Sequence, residues 1–143
     1  MTADPRSLRR GDFRVLREVP TRWSDQDAYG HLNNAVHYLM FDTALSSWQI
    51  EAAEVDVRTL TAIALVVETS CRYFAELHFP DLVTVGIALE RLGTSSVTYQ
   101  IVLFGPDRDE PAAAGRFVEV YVDRLTRRPV PVPAEIRAAL TQL

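Results

Sequence analysis

Only one segment of this chain carries an apolar stripe long enough for a full helix. Tyr38, Phe41, Leu45, Trp48 and Ala52 recur at steps of three and four, the spacing that lines one face of an α-helix. Asp42, Ser46 and Gln49, with Ser47, Glu51 and Glu54, occupy much of the opposite side. The pattern predicts one helix of about 20 residues, starting near Asn34 and spanning about 30 Å. Phe13–Trp23, before it, alternates as a half-buried strand, and the chain beyond the helix reads mostly as strand. Ala62–Phe74 is rich in Ile, Leu, Val and aromatic residues. Leu82–Leu92 and Ser96–Phe104 alternate apolar and polar positions, and Arg116–Asp123 sets Phe117 and Tyr121 against Val118, Val120 and Val122.

Phe79-Pro80-Asp81, Leu92-Gly93-Thr94 and Gly105-Pro106-Asp107 supply turns between these strands. Turns that short join antiparallel neighbours. A twisted antiparallel sheet has one face to bury, and the Tyr38–Trp48 stripe is the only large apolar partner available. The expected architecture is therefore α+β, with the sheet wrapped around the long helix. Residues 1–11 are polar and read as a loose tail. Residues 124–143 read as a C-terminal extension in which Pro129, Pro131 and Pro133 lead into a short helix near Ala134–Leu140. No linker or repeat interrupts the chain, so residues 1–143 read as one domain.

Composition narrows the function classes. The 143 residues, 48% apolar and 24% charged, suit a domain that buries about 70% of its unfolded surface. A net charge of −4 recommends neither nucleic acid nor an anionic membrane as partner. No apolar run approaches the ~20 residues of a membrane span, and MTADPRSLRRGDF lacks the apolar core of a secretory signal. The expectation is a cytoplasmic protein. Cys71 is the single cysteine, which excludes an intrachain disulfide and a multi-cysteine metal site. All 15 basic residues are arginine, which excludes Schiff-base chemistry and a P-loop lysine.

The chemistry concentrates in RWSDQDAYGHLNNAVHY, Arg22–Tyr38. Helix N-terminal N–H groups are uncommitted donors at the positive end of a macrodipole, so the segment around Asn33, Asn34 and Ala35 can form an oxyanion pocket. Asn33 or Asn34 can equally serve as the N-cap. Gly30 lets the preceding turn fold tightly. Asp27, just upstream, can attack a carbonyl or deprotonate a water. His31 can orient Asp27, the water or the leaving group. Asp25 reads as a partner for Arg22 or for turn N–H groups. Asp25-x-Asp27-x-x-Gly30 opens like a calcium loop, but Tyr29 and Val36 stand where the fifth and twelfth ligands belong. His31 and His37 have no third ligand at zinc spacing. No metal or other cofactor is expected. His37 and His78 read as surface or interface residues, Cys71 as inert packing, and Glu68 as the partner of an arginine.

The element order and the D-x-D-x-x-G-H-x-N-N-x-x-x-Y run from Asp25 to Tyr38 resemble the hotdog fold, and within it the acyl-CoA thioesterases of the 4-hydroxybenzoyl-CoA thioesterase type. Glu90-Arg91-Leu92-Gly93-Thr94-Ser95-Ser96 is similar to the hairpin before that family's fourth strand. The resemblance implies a five-stranded antiparallel sheet around one central helix, and hydrolysis of an acyl-CoA to acid and CoA. It implies Asp27 as the catalytic carboxylate with His31 beside it. It also implies homodimers or homotetramers whose sites are lined by two subunits, with the Glu68–Phe74 strand of a second subunit facing Asp27. Plant acyl-carrier-protein thioesterases carry a related pattern with Asn where this chain has Tyr29. Arginine suits the phosphates of CoA through bidentate, charge-assisted bonds. Candidates are Arg72 and Arg91, the Arg124, Arg127, Arg128 cluster, and the hydroxyls of Ser95 and Ser96. The competing readings are a hotdog hydratase or dehydratase and a non-catalytic acyl-CoA-binding protein.

Overall fold

The apolar stripe becomes helix α1, Asn34–Ala52, in a computed structural model that describes residues 4–143. Five strands surround it: β1 Val15–Pro20, β2 Ala62–Tyr73, β3 Leu82–Leu92, β4 Ser96–Phe104 and β5 Ala113–Asp123. They form one antiparallel sheet in the order β1-β3-β4-β5-β2. Met40, Phe41, Ala44, Leu45 and Trp48 are buried against Val85, Ile87, Tyr99, Ile101 and Phe117 on the sheet's inner face. Phe41 lies so close to β5 that a Cβ at Gly115 would collide with its ring. A short helix α2, Ala134–Ala139, closes one end of the core with Ile136 and Ala139. No described helix is long and apolar enough to cross a membrane.

Several local expectations are corrected. β1 is shorter than the alternation of Phe13–Trp23 predicts. Phe13 leaves the strand and packs on the sheet's outer face against Phe104, over Gly86, while Trp23 sits 75% exposed in a 3-10 turn. β5 begins at Ala113 rather than Arg116, because Ala113, Ala114 and Gly115 are small enough to lie between Phe41 and the outer cluster. The tail is pinned from Asp4 onward. Pro5–Ser7 and Arg10–Asp12 form 3-10 turns, and the Arg10 guanidinium donates to the Arg108 carbonyl at 3.1 Å and lies over the Phe104 ring. The first three residues of the expected tail lie outside the described ones.

Gln49, expected on the solvent side of α1, is buried. Its Nε2 donates to Tyr99 Oη at 3.1 Å and to Glu119 Oε2 at 3.0 Å. Glu119, on β5 between Phe117 and Tyr121, points into the same interior. Burial pushes its carboxyl up to about 7; the Gln49 amide opposes the shift and the Asp42 charge adds to it. The native state therefore holds a proton that the unfolded chain releases at ordinary carboxylate pH. This contribution to stability is complete below the unfolded value and is lost as pH rises towards 7. Glu119→Gln should consequently be more stable than the parent at pH 8, by about 3 kcal/mol, with the difference vanishing near pH 4. Denaturant melts of both proteins across this range test it, and a pH-independent difference refutes it.

Candidate functional site

Thr21 anchors the segment before α1, its Oγ1 donating to the Asp81 carbonyl at 2.7 Å. The chain then turns through Trp23–Asp25, where Asp25 is only 3% exposed. Asp25 accepts from the Arg22 backbone N–H at 2.7 Å and from Arg22 Nη2 at 2.8 Å. Burial alone would raise this carboxyl, but the Arg22 guanidinium and N–H hold it below the usual carboxylate range. Asp25 is thus committed to holding the turn, in both of the ways its position suggested.

From Gln26 the chain doubles back, with Gln26 and Leu32 bridged as antiparallel neighbours. The Asp27 N–H donates to the His31 carbonyl at 2.9 Å, and the Gly30 N–H to the Asp27 carbonyl at 3.2 Å. Gly30 has φ +82°, the left-handed region where a side chain would be strained. This tight loop sets Asp27 and His31 face to face. Asp27 Oδ1 accepts the Tyr29 N–H at 2.8 Å, and Oδ2 lies 3.0 Å from His31 Nδ1. The same Nδ1 is 3.3 Å from the Leu32 carbonyl. Both neighbours are acceptors, so Nδ1 carries the hydrogen and Nε2 is the nitrogen left for other chemistry. Nε2 stands 4.0 Å from Glu76 Oε1.

Asp27 and His31 line a cavity of about 340 Å³ with Leu32, Asn34, Phe74 and Leu77. The cavity opens at the start of α1. Asn33 is the N-cap, its Oδ1 accepting the Ala35 N–H at 2.9 Å. Ala35, expected among the oxyanion donors, therefore has its N–H occupied by the cap, while the Val36 N–H bonds to the Asn33 carbonyl. The Asn34 N–H has no backbone acceptor among the described residues, and Asn34 is on the cavity wall. A larger groove of about 650 Å³ between β1 and α1, lined by Arg17, Thr43 and Ser47, brings no carboxylate and imidazole together.

His37 is a correction: it is 4% exposed, not at the surface. Its Nδ1 donates to the Asn33 carbonyl at 3.1 Å, and burial lowers its basicity, which keeps it neutral at pH 7. The Tyr73 ring meets it edge-on at 4.7 Å, and Tyr73 Oη donates to the Asn34 carbonyl at 2.8 Å. His37 follows Asn33 by one helical turn, a signal the sequence did carry. Tyr73 and Glu76 reach the cavity from the far end of β2, which only tertiary pairing reveals. His78 is exposed, with Nδ1 3.1 Å from the Gly30 carbonyl.

The candidate CoA ligands divide. Arg72 stands at the end of β2, its guanidinium 5.3 Å from the ring of the cavity residue Phe74. Arg91 near the end of β3, Ser95 in the following turn and Ser96 at the start of β4 share one hairpin end, and none of them lines the Asp27 cavity within one chain. Arg124 is spent on the Leu60 carbonyl at 3.1 Å, whereas Arg127 and Arg128 are exposed. Glu68 meets Arg116 at 3.4 Å. Cys71 is half-buried, and burial pushes its thiol up, away from the reactive thiolate. Among the described residues no group of three His, Cys, Asp or Glu side chains is placed to hold a metal ion.

Known proteins are similar to this chain in sequence and fold. A family model described as the thioesterase-like superfamily matches residues 21–140. The PA5185 protein of Pseudomonas aeruginosa strain PAO1 is 43% identical, with 95% of each chain covered and a TM-score of 0.91. A thioesterase of Thermus thermophilus, solved with coenzyme A and zinc, is 27% identical over 90% of this chain and 92% of its own, at a TM-score of 0.75. The Synechocystis protein Slr0204, a 1,4-dihydroxy-2-naphthoyl-CoA thioesterase, is similar in fold at 17% identity and a TM-score of 0.82, over 90% of this chain and 96% of its own. The sheet around one long helix is the hotdog fold.

Proposed function

The chain belongs to the thioesterase-like superfamily, and from that premise we propose that it hydrolyses an acyl-CoA thioester to the free acid and coenzyme A. The observation that carries the reading is the Asp27 carboxylate, 3.0 Å from His31 Nδ1, on the wall of a cavity that opens at the helix N-terminus. As a base, Asp27 takes a proton from water while the water oxygen attacks the thioester carbonyl. As a nucleophile, its oxygen attacks directly and water then opens the mixed anhydride. On either route the carbonyl oxygen becomes an oxyanion and accepts from the Asn34 N–H, a contribution of about 3–4 kcal/mol for a well-placed donor. The C–S bond then breaks and the CoA sulfur takes up a proton. His31, donating through Nδ1, holds the Asp27 carboxylate in one orientation.

The protein acts as a homodimer or a dimer of dimers paired through β2. Arg72 approaches CoA from the Asp27 side, whereas Arg91, Ser95 and Ser96 reach it from the second subunit. The nucleotide of the coenzyme A bound by the Thermus relative is the kind of group such arginines would hold. The test is a screen of short, long and aromatic acyl-CoAs with free-thiol detection. Thiol release from at least one class is expected. Enoyl-CoA consumption without thiol release would make the protein a hydratase, and tight binding without either would make it an acyl-CoA-binding protein.

A further inference from the structure

A second cleft, of about 320 Å³, lies at the other end of the groove between α1 and β2, lined by Asp42, Ser46, Gln49, Ala64, Glu119 and Tyr121. Its floor is a buried carboxyl with work left over. Glu119 is 6% exposed. Its Oε2 accepts from Gln49 Nε2 at 3.0 Å, and that nitrogen's other hydrogen goes to Tyr99 Oη at 3.1 Å. Glu119 Oε1 accepts no hydrogen bond among the described residues. The two arginines on the cleft wall do not supply one: Arg58 pairs with Asp56, and Arg124 bonds to the Leu60 carbonyl. That oxygen is not sealed in the core, and a carboxyl that holds a proton can donate as well as accept, so a hydroxyl on a bound molecule is its natural complement.

The cleft is too far from Asp27 to share a compact acyl group within one chain, because Asn34 and Ser46 are about 18 Å apart along α1. β2 removes the difficulty. It is an edge strand, and a two-fold axis through its middle runs it antiparallel to its copy. Ala62–Ala64 of one protomer then lies across from Cys71–Tyr73 of the next. Ala62, Ile63 and Ala64 line the Glu119 cleft, and Tyr73 lines the Asp27 cavity. The Glu119 cleft of one protomer thereby adjoins the Asp27 cavity of its neighbour.

We infer that Glu119 is a specificity-determining residue of an acyl pocket shared between two protomers, its Oε1 exchanging a hydrogen bond with a hydroxyl on the acyl group. The inference rests on the thioesterase reading and on pairing through β2. A site built to hydrogen-bond a hydroxyl rejects the analogue that lacks it. The wild type should therefore show a kcat/KM at least about tenfold higher for ω-hydroxyhexanoyl-CoA than for hexanoyl-CoA, or for para-hydroxyphenylacetyl-CoA than for phenylacetyl-CoA.

Glu119→Leu should collapse that ratio. Ala64→Phe, which fills the cleft from an exposed wall position without touching the core, should lower kcat/KM for both members of the pair relative to acetyl-CoA. Subunit exchange between Asp27→Asn and Glu119→Leu proteins tests the shared pocket. The hybrid carries one site with Asp27 and Glu119 both intact, so hydroxyl preference should return. Equal rates on both members of each pair, a preference that survives Glu119→Leu, or a hybrid without preference each overturns the inference while leaving the thioesterase reading standing. No thiol release from any acyl-CoA overturns both.

Discussion

Replacing Asp27 with Asn is expected to lower kcat by roughly a thousandfold while the protein stays folded. The amide keeps the shape of the side chain and can still accept the Tyr29 N–H bond that seats Oδ1. It can neither attack a carbonyl nor take a proton at neutral pH, so the loss should fall on kcat rather than KM. Asp25→Asn is the informative contrast. Asp25 is the more buried of the two and is spent on Arg22, so its loss should lower stability and cost turnover far less. Single-turnover rates and melting curves on both variants separate the roles. Full activity in the Asp27 variant, or equal kinetic losses in the two, would remove Asp27 from the reaction.

The contrast between the two aspartates also marks how far the sequence could be read. The start of α1 at Asn34 and the bounds of β3 and β4 follow from local periodicity and turn residues, and the structure agrees with them. The tight turn at Gly30 was legible for the same reason, since one residue type satisfies one backbone angle. What was not legible is non-local. Gln49 reads as polar and solvent-facing until β4 and β5 bring Tyr99 and Glu119 against it. Glu119 interrupts an otherwise apolar face, and its burial is tolerable only because that amide is there. His37 reads as a surface or interface residue until Tyr73, 36 positions further along the chain, covers it. In each case a polar side chain is buried by a partner distant in sequence, and periodicity is blind to that.

Placing arginines at Leu65 and Val67 together should convert the protein to a folded monomer near 16.1 kDa and remove most of its thioesterase activity. The two edges of the sheet are unlike. β1 has six residues and ends in Pro20, a short edge of the kind that discourages further pairing. β2 has twelve, contains no proline, and exposes Leu65, Val66 and Val67 at 40%, 48% and 60%. A long apolar edge with unpaired N–H and C=O groups calls for another strand, and a second copy of β2 supplies one in antiparallel register. Two guanidiniums per chain, four across the axis, would place like charges in that seam and leave the core untouched. Sedimentation at micromolar concentration should therefore show a dimer or tetramer for the parent and a monomer for the double variant. Activity should fall with assembly, because the proposed CoA site takes Arg91, Ser95 and Ser96 from the second subunit. A fully active parent monomer, or a double variant that is monomeric and unimpaired, would show that the site is complete without its neighbour.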